Sequence, residues 1–346
     1  MIKVGVVGAT GYTGSELLRL LVCHPCVSVE VVTSENYVGR EISSVFPSLG
    51  GFLSLSCVKL DVEETAASCD LVFVALPHTE SARVVSSLAA KGKRVIDFSA
   101  DFRLRDSAVY EQWYGVKHSS PELLGKAVYG LPELHRSDIA EASIVANPGC
   151  YPTGAILALA PVIKEGWMDT ESIIIDSKSG VSGAGRKLNL LFHFAECNES
   201  VKAYSIAGHR HIPEIEQEIS RLAGDTVKVV FTPHLIPMTR GILSTIYVSI
   251  DGGHTGADVV ETYREFYKDE PFVRVRNEGE VPSTLDTRGS NFCDIGVTVD
   301  QRTDKLIIVS SIDNLGKGAS WQAVQNMNIV CGFKESDGIN VPALFP

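Results

Sequence analysis

Apolar runs separated by glycine turns organise the first third of the chain. Residues 3–7, Lys-Val-Gly-Val-Val, are apolar without alternation after the lysine, the pattern of a parallel strand covered on both faces. Helical spacing follows at residues 15–22. Further strand patterns at residues 29–33, 71–76 and 95–98, with a second helical stretch at 81–91, continue the strand–helix–strand alternation. That order predicts a Rossmann-type, doubly wound α/β domain.

Past residue 148 the periodicity changes. Strand patterns at 172–176, 227–232, 243–250, 273–275, 294–299 and 306–310 surround helical stretches at 213–222 and 257–267. Strands joined by short connections predict an α+β domain with a mixed or antiparallel sheet, covered by helices on one face. A last helix at about 319–330 is expected to return to the first domain. The expected division is therefore 1–148, joined by 316–346, and a catalytic and dimerisation domain at 149–315. No internal repeat or low-complexity linker interrupts the 346 residues.

Composition narrows the class. Hydrophobic residues make up 45% and charged residues 21%, ordinary globular usage. A net charge of −11 argues against nucleic acid or an anionic membrane surface as partner. No apolar run reaches the roughly 20 residues that a membrane helix needs. The chain opens directly on a strand pattern, so no leader peptide is expected. Eight cysteines without framework spacing fit a reducing, cytoplasmic setting. Cys23-His24-Pro25-Cys26 resembles a redox pair, but it falls at a helix end, where no dipole acidifies the sulfur, so it reads as packing. No second cysteine or histidine cluster completes a metal site.

The most informative segment is Ala146-Asn147-Pro148-Gly149-Cys150-Tyr151-Pro152-Thr153-Gly154. Pro148 and Gly149 turn the chain between an apolar strand at 143–146 and an apolar helix expected at 153–163, with Pro152 at the first helical position. Cys150 would then lie at the positive end of that helix, a setting that favours thiolate and suits a nucleophile for acyl transfer. A buried structural cysteine is the alternative. Upstream, Gly8-Ala9-Thr10-Gly11-Tyr12-Thr13-Gly14 follows the first strand and opens the first helix, as a turn that cradles a pyrophosphate would. Thr33 and Ser34, with Arg40 nearby, replace the acidic strand end usual for NAD and favour NADP(H); Glu35 pointing inward would reverse that preference. The loop holding Pro77 falls at the carboxyl edge of the sheet, where ligands of such folds bind.

Three more clusters carry candidate chemistry. Arg103, within Asp97-Phe98-Ser99-Ala100-Asp101-Phe102-Arg103-Leu104-Arg105-Asp106, suits a phosphate or carboxylate, or else pairs with Asp101 or Asp106. The small-residue loop at 177–187, with Ser179, Gly180, Arg186 and Lys187, could wrap an oxyanion with its backbone N–H groups, or be a flexible surface loop. In Gly208-His209-Arg210-His211, an extended backbone would send both imidazoles to one side. Either could serve a cysteine as acid/base, and capping or surface histidines are the alternative.

Together GATGYTG (8–14), SADFRLRD (99–106), ANPGCYPTGA (146–155), SGVSGAGRK (179–187), GHRHIPEI (208–215) and PMTRG (237–241) resemble the N-acetyl-γ-glutamyl-phosphate reductase family, relatives of aspartate-semialdehyde dehydrogenase. The resemblance runs in order to Asp313-Asn314-Leu315-Gly316-Lys317-Gly318. It implies NADPH-dependent reduction of an acyl phosphate to N-acetylglutamate 5-semialdehyde and phosphate, in arginine biosynthesis, by a homodimer or homotetramer with a semialdehyde dehydrogenase-like fold. Cys150 would be the nucleophile and His211, ahead of His209, the acid/base. Arg103, Arg186, Lys187 and Asn147 would hold substrate. Gly8, Thr10, Gly11, Tyr12, Thr13, Gly14, Ser34, Arg40, Pro77, Ser179, Gly180 and Asn314 would contact the cofactor. Aspartate-semialdehyde dehydrogenase or an α-aminoadipyl-phosphate reductase would share all but the acyl pocket. A cysteine hydrolase or acyltransferase would leave the glycine turn unexplained, and an NADP-sensing protein would bind without turnover.

Overall fold

The computed structural model describes residues 1–250 and 253–346. Its strands form two sheets in two units, residues 1–148 with 319–340, and residues 149–318 with 341–346.

In the first unit, β1 (Ile2–Val7), β2 (Val27–Val32), β3 (Leu71–Val74), β4 (Arg94–Asp97), β5 (Val128–Tyr129) and β6 (Ile144–Ala146) lie in the order β2-β1-β3-β4-β6-β5, every pair parallel. All four residues of β3 are buried, as the unbroken apolar pattern requires of a strand covered on both faces. Tyr12–Leu21, Pro132–Ala140 and Trp321–Val330 pack as one helical group, and Val62–Ser68 with Ser81–Ala90 as another. Within the former, Trp321 donates its indole N–H to Glu16. The chain passes from β1 to β2 on one side and then to β3 on the other, so the winding reverses between β1 and β3. Their carboxyl ends border the crevice where ligands of open α/β sheets bind.

In the second unit, β7 (Ile174–Ser179), β8 (Lys202–Ala203), β9 (Val230–Leu235), β10 (Ile242–Ser249), β11 (Val273–Val275), β12 (Cys293–Asp300) and β13 (Lys305–Ile312) form a mixed sheet in the order β11-β12-β13-β10-β7-β9-β8. The Cys150–Glu165 helix crosses β10 and β13, and the Ile212–Ala223 and Gly256–Phe266 helices pack against it. Pro161 has no N–H to give the Leu157 carbonyl one turn earlier. The Tyr267 hydroxyl takes that carbonyl, and Tyr263 takes that of Ala158. An all-apolar helix thus keeps a proline in its buried interior. On β7, β9 and β10 the side chains of Ile174, Val230 and Tyr247 stay exposed. Among the described residues no helix is long and apolar enough to cross a membrane.

Candidate active site

The Cys150–Glu165 helix begins on the cysteine itself, three residues earlier than the sequence pattern predicts, with Gly149 as its extended N-cap (φ −66°, ψ 150°). Pro152 is consequently the third helical residue and not the first. It fits there because first-turn amides have no intrahelical acceptor, so a missing N–H costs nothing. Gly149 donates its N–H to Glu214 at 2.7 Å, and the Glu214 carboxylate is 1% exposed. A Cβ on Gly318 would lie 2.9 Å from the Cys150 Cβ, so only glycine lets that segment pass against the cysteine. Cys150 is partly exposed and forms no disulfide.

The histidine segment is a turn, not the extended strand expected. Ser205 and Ala207 adopt positive φ (47° and 55°), and Ile212 donates to the His209 carbonyl at 3.0 Å. The two rings still meet, 4.8 Å between centroids, because the His209 ring folds back to accept the His211 N–H through Nδ1 at 3.1 Å. Tyr151, next to the cysteine, presents its ring to both imidazoles at 5.6 and 5.8 Å. Its hydroxyl lies 2.9 Å from that of Tyr204. Tyr151, Tyr204 and Phe231 enclose His209. That burial, and secondarily the charge of Arg210, lowers the His209 imidazole from 6.5 to about 4. A neutral imidazole accepting at Nδ1 carries its proton on Nε2.

The small-residue loop is not an anion cradle. Gly180, Val181 and Ser182 give their N–H groups to the carbonyls of Gly241, Met238 and Thr239, and Gly183 and Gly185 turn theirs back on Gly180 and Ser182. Those amides are therefore spent on pairing with the 238–241 turn. Asn314 pins the same junction, accepting from Gly241 N–H at 2.7 Å and donating to Ser182 Oγ at 2.9 Å. Ser179 is buried, with its hydroxyl on the Gly180 carbonyl. Arg186 and Lys187 project from the loop, exposed.

In the first unit the glycine turn fits a dinucleotide. Gly8 has φ +81°, and a Cβ there would come within 2.4 Å of the Ala75 carbonyl oxygen. At Gly14 a Cβ would meet Ala9 at 2.6 Å, so the helix sits close against the turn. Gly11 caps the Tyr12–Leu21 helix without a side-chain bond, and the first turn, which includes Thr13, holds no acidic residue. The positive end is left to an external anion. Thr33 Oγ1 accepts from Gly8 N–H at 3.1 Å, and the hydroxyls of Thr10 and Ser34 are 2.8 Å apart. Ser34 is buried while Glu35 is exposed. Arg40, also exposed, stands over the Tyr37 ring. Pro77 lies in an exposed loop after β3.

Arg103 is only 5% exposed and donates from Nε to the Asn147 carbonyl at 2.8 Å and from a terminal nitrogen to the Phe98 carbonyl at 2.7 Å. Asp101 and Asp106, its alternative partners, also hold backbone and side-chain donors of other segments. Asp101 accepts from Thr79, Ala82 and Tyr110, and Asp106 caps the Ser107–Tyr114 helix through Ala108 N–H. Asn147 is almost wholly buried, donating to the Ala319 carbonyl and accepting from Asn326.

Comparison with known proteins decides the family. Residues 3–142 match the semialdehyde dehydrogenase NAD binding domain, and residues 150–314 the semialdehyde dehydrogenase dimerisation domain. A Pelotomaculum thermopropionicum protein named N-acetyl-gamma-glutamyl-phosphate reductase is 53% identical over 345 residues, covering 100% of this chain and 99% of the relative. One of the same name from Citrifermentans bemidjiense is 55% identical over 347 residues, covering 100% of each. The chain belongs to the N-acetyl-γ-glutamyl-phosphate reductase family.

Among solved structures, aspartate semialdehyde dehydrogenase II from Vibrio cholerae complexed with ASA aligns with a TM-score of 0.73 at 18% identity, over 96% of this chain and 98% of that one. The Candida albicans aspartate semialdehyde dehydrogenase with NADP gives 0.73 at 16%, over 96% and 98%. At such identities the likeness is one of fold. As a reductase of this family the chain is an oxidoreductase with a nicotinamide-dinucleotide-binding domain and a dimerisation domain. Three side chains of the site went unassigned at the sequence level: Glu214, Tyr151 and Tyr204. Glu214 and Tyr151 stand inside quoted motifs, but their partners lie far along the chain. Tyr204 has no local signal at all.

Proposed function

We propose that this chain reduces N-acetyl-γ-glutamyl phosphate to N-acetylglutamate 5-semialdehyde and phosphate with NADPH, through a thioester on Cys150. One observation carries the reading: Cys150 opens a buried helix, and its neighbour Tyr151 packs against the paired imidazoles of His209 and His211. The relatives that cover the whole chain bear the name of that reaction.

The helix start favours the Cys150 thiolate, and Glu214 fixes the turn that aims it. Sulfur attacks the acyl carbon, the carbon–oxygen bond to phosphate breaks, and phosphate leaves. Arg103, with Arg186 or Lys187, is assigned to the substrate's phosphate or carboxylate. The Tyr151 amide, in the helix's first turn, is assigned to the tetrahedral oxyanion. NADPH, which the glycine turn at Gly8–Gly14 would hold, would supply hydride for reduction of the thioester carbon. His211 protonates the resulting alkoxide and takes the proton back as the carbonyl re-forms and Cys150 departs as thiolate. His209, already accepting from the His211 amide, orients that ring.

The glycine turn at Gly8–Gly14 is assigned to the pyrophosphate. Ser34 and Arg40 are assigned to the 2′-phosphate, since Glu35 faces solvent. Pro77 is assigned to the crevice lip, and Ser179, Gly180 and Asn314 to the dinucleotide's reactive end. Exposed Ile174, Val230 and Tyr247 on the second sheet support a homodimer through that face, alone or paired into a homotetramer. Eight cysteines without framework spacing suit the cytoplasm.

The test is NADPH formation from N-acetylglutamate semialdehyde, NADP and phosphate, beside aspartate semialdehyde under the same conditions. Turnover of the acetylated substrate alone is expected. Preference for aspartate semialdehyde would overturn the reading.

A further inference from the structure

Thr79 lies in the exposed loop between β3 and the Ser81–Ala90 helix with φ +74°, a left-handed conformation that is costly for a β-branched residue. Four bonds tie this loop and the helix start that follows it to the end of β4 and the segment beyond. Asp101 Oδ1 accepts from Thr79 N–H at 2.8 Å, and Asp101 Oδ2 from Ala82 N–H at 3.0 Å. Ser81 Oγ donates to Asp97 at 2.6 Å, and Ala100 N–H to His78 Nδ1 at 3.0 Å. Asp101 is wholly buried, and it is itself held on every side. Tyr110 donates its hydroxyl to Oδ1 at 2.8 Å, Ser99 Oγ accepts from its N–H at 3.0 Å, and His118 Nε2 meets its carbonyl at 2.7 Å. A carboxylate so fixed can impose a strained conformation on a loop that would otherwise relax.

The position of this loop gives the strain a use. The winding of the sheet reverses between β1 and β3, so the turns after those two strands are the two lips of the ligand crevice. They touch at their bases, since Ala75 N–H donates to the Val7 carbonyl at 2.8 Å and Gly8 passes close over the Ala75 carbonyl. The lip after β1 is the glycine turn, and the lip after β3 is the segment strained at Thr79.

We infer that Asp101 is a positioning residue for dinucleotide binding, holding the lip after β3 in its left-handed form along the cofactor crevice. The inference rests on the cofactor site assigned above. Asp101 reaches the cofactor through the backbone of residues 79–82 and touches none of it. No neutral residue of the same shape can replace it. In Asp101→Asn the new NH₂ would face the N–H of Thr79 or Ala82, donor against donor.

The experiment is NADPH titration by fluorescence, together with amide hydrogen exchange over residues 77–82. Loss of bonds to a buried carboxylate predicts a Kd raised about tenfold or more in Asp101→Asn, with faster exchange confined to the lip. Thr79→Gly in the Asp101→Asn background is expected to recover most of that loss, because glycine adopts positive φ without strain. Thr79→Pro excludes positive φ and removes the donor while leaving Asp101 intact. It reproduces the weakened binding, and it decides the matter should Asp101→Asn not fold. Unchanged Kd in Thr79→Pro, or in folded Asp101→Asn, overturns the inference. Absence of NADPH binding by the unaltered protein would instead overturn the cofactor assignment.

Discussion

His209 accepts the backbone N–H of His211 through Nδ1, and this bond separates the duties of the two imidazoles. The aromatic enclosure keeps His209 neutral, and on the proposed mechanism its part is to hold the turn. On that mechanism the acid/base is then His211. His211→Asn is expected to lower kcat by roughly 10²–10⁴, the usual cost of losing a general acid or base. In His209→Asn the amide oxygen can still accept the His211 N–H, so kcat should fall much less. Steady-state kinetics of the two variants check this, and the reverse order of losses would exchange the roles.

Stability should record the same burial. His209 titrates near 6.5 when unfolded and about 4 when folded, so the folded state binds fewer protons between these values. Stability from this group is present above pH 6.5 and is lost as pH falls towards 4, by roughly 3 kcal/mol at most. Asp97 has the opposite sign. Burial raises it from 3.8 to about 6, so its folded form holds the extra proton and stability declines as pH rises through that window. The two slopes oppose each other in the intact protein. Urea unfolding should therefore show His209→Asn losing ground to the unaltered protein as pH rises from 4.5 to 6.5. A difference that does not vary with pH would contradict the neutral, buried assignment.

Cofactor preference follows from the end of β2. Ser34 is buried against Thr10, and Glu35 points to solvent. The ribose site therefore lacks the carboxylate that would repel a 2′-phosphate. On the proposed NADPH assignment, a charge-assisted contact from Arg40 would contribute about 1.5–3 kcal/mol, one to two orders of magnitude in affinity. Arg40→Ala should raise the KM for NADPH by about that factor and leave the KM for NADH nearly unchanged. Equal losses for the two cofactors would remove Arg40 from the phosphate site.

The proposed substrate role of Arg103 and its structural one can be separated by kinetics and calorimetry. Its guanidinium holds the carbonyls of Phe98 and Asn147, the latter just before the Pro148-Gly149 turn. Arg103→Leu would leave buried carbonyls unpaired, at a cost of about 1–3 kcal/mol. Removing a binding arginine should also raise the KM for phosphate and acyl phosphate. A lowered Tm with unchanged KM would make the residue structural alone.

Much of the fold is written in local pattern. The unbroken apolar run of β1, the glycines after it and the first helix are all short-range signals, and each shows in the sequence. The helices Val62–Ser68, Ser107–Tyr114 and Pro132–Ala140 were not predicted. They are short, and the last contains non-helical dihedrals at His135 (φ −135°, ψ 22°). The site is harder to read because its bonds join distant segments. The amides at 180–182 look available until the 238–241 turn pairs with them. Nothing in Ser205 or Ala207 announces the positive φ that curls the histidine segment. Glu214 reads as an ordinary first-turn acid of a helix, and its partner Gly149 lies 65 residues away.

The proposed reaction requires a covalent bond to one sulfur, and mass spectrometry can look for it. The protein is mixed with N-acetyl-γ-glutamyl phosphate in the absence of NADPH, quenched in acid and digested. A single N-acetylglutamyl group is expected on the peptide containing Cys150, lost on adding NADPH and absent in Cys150→Ser, which should also lack turnover. An unmodified Cys150 peptide in the absence of NADPH, or substantial activity in Cys150→Ser, would contradict the thioester mechanism.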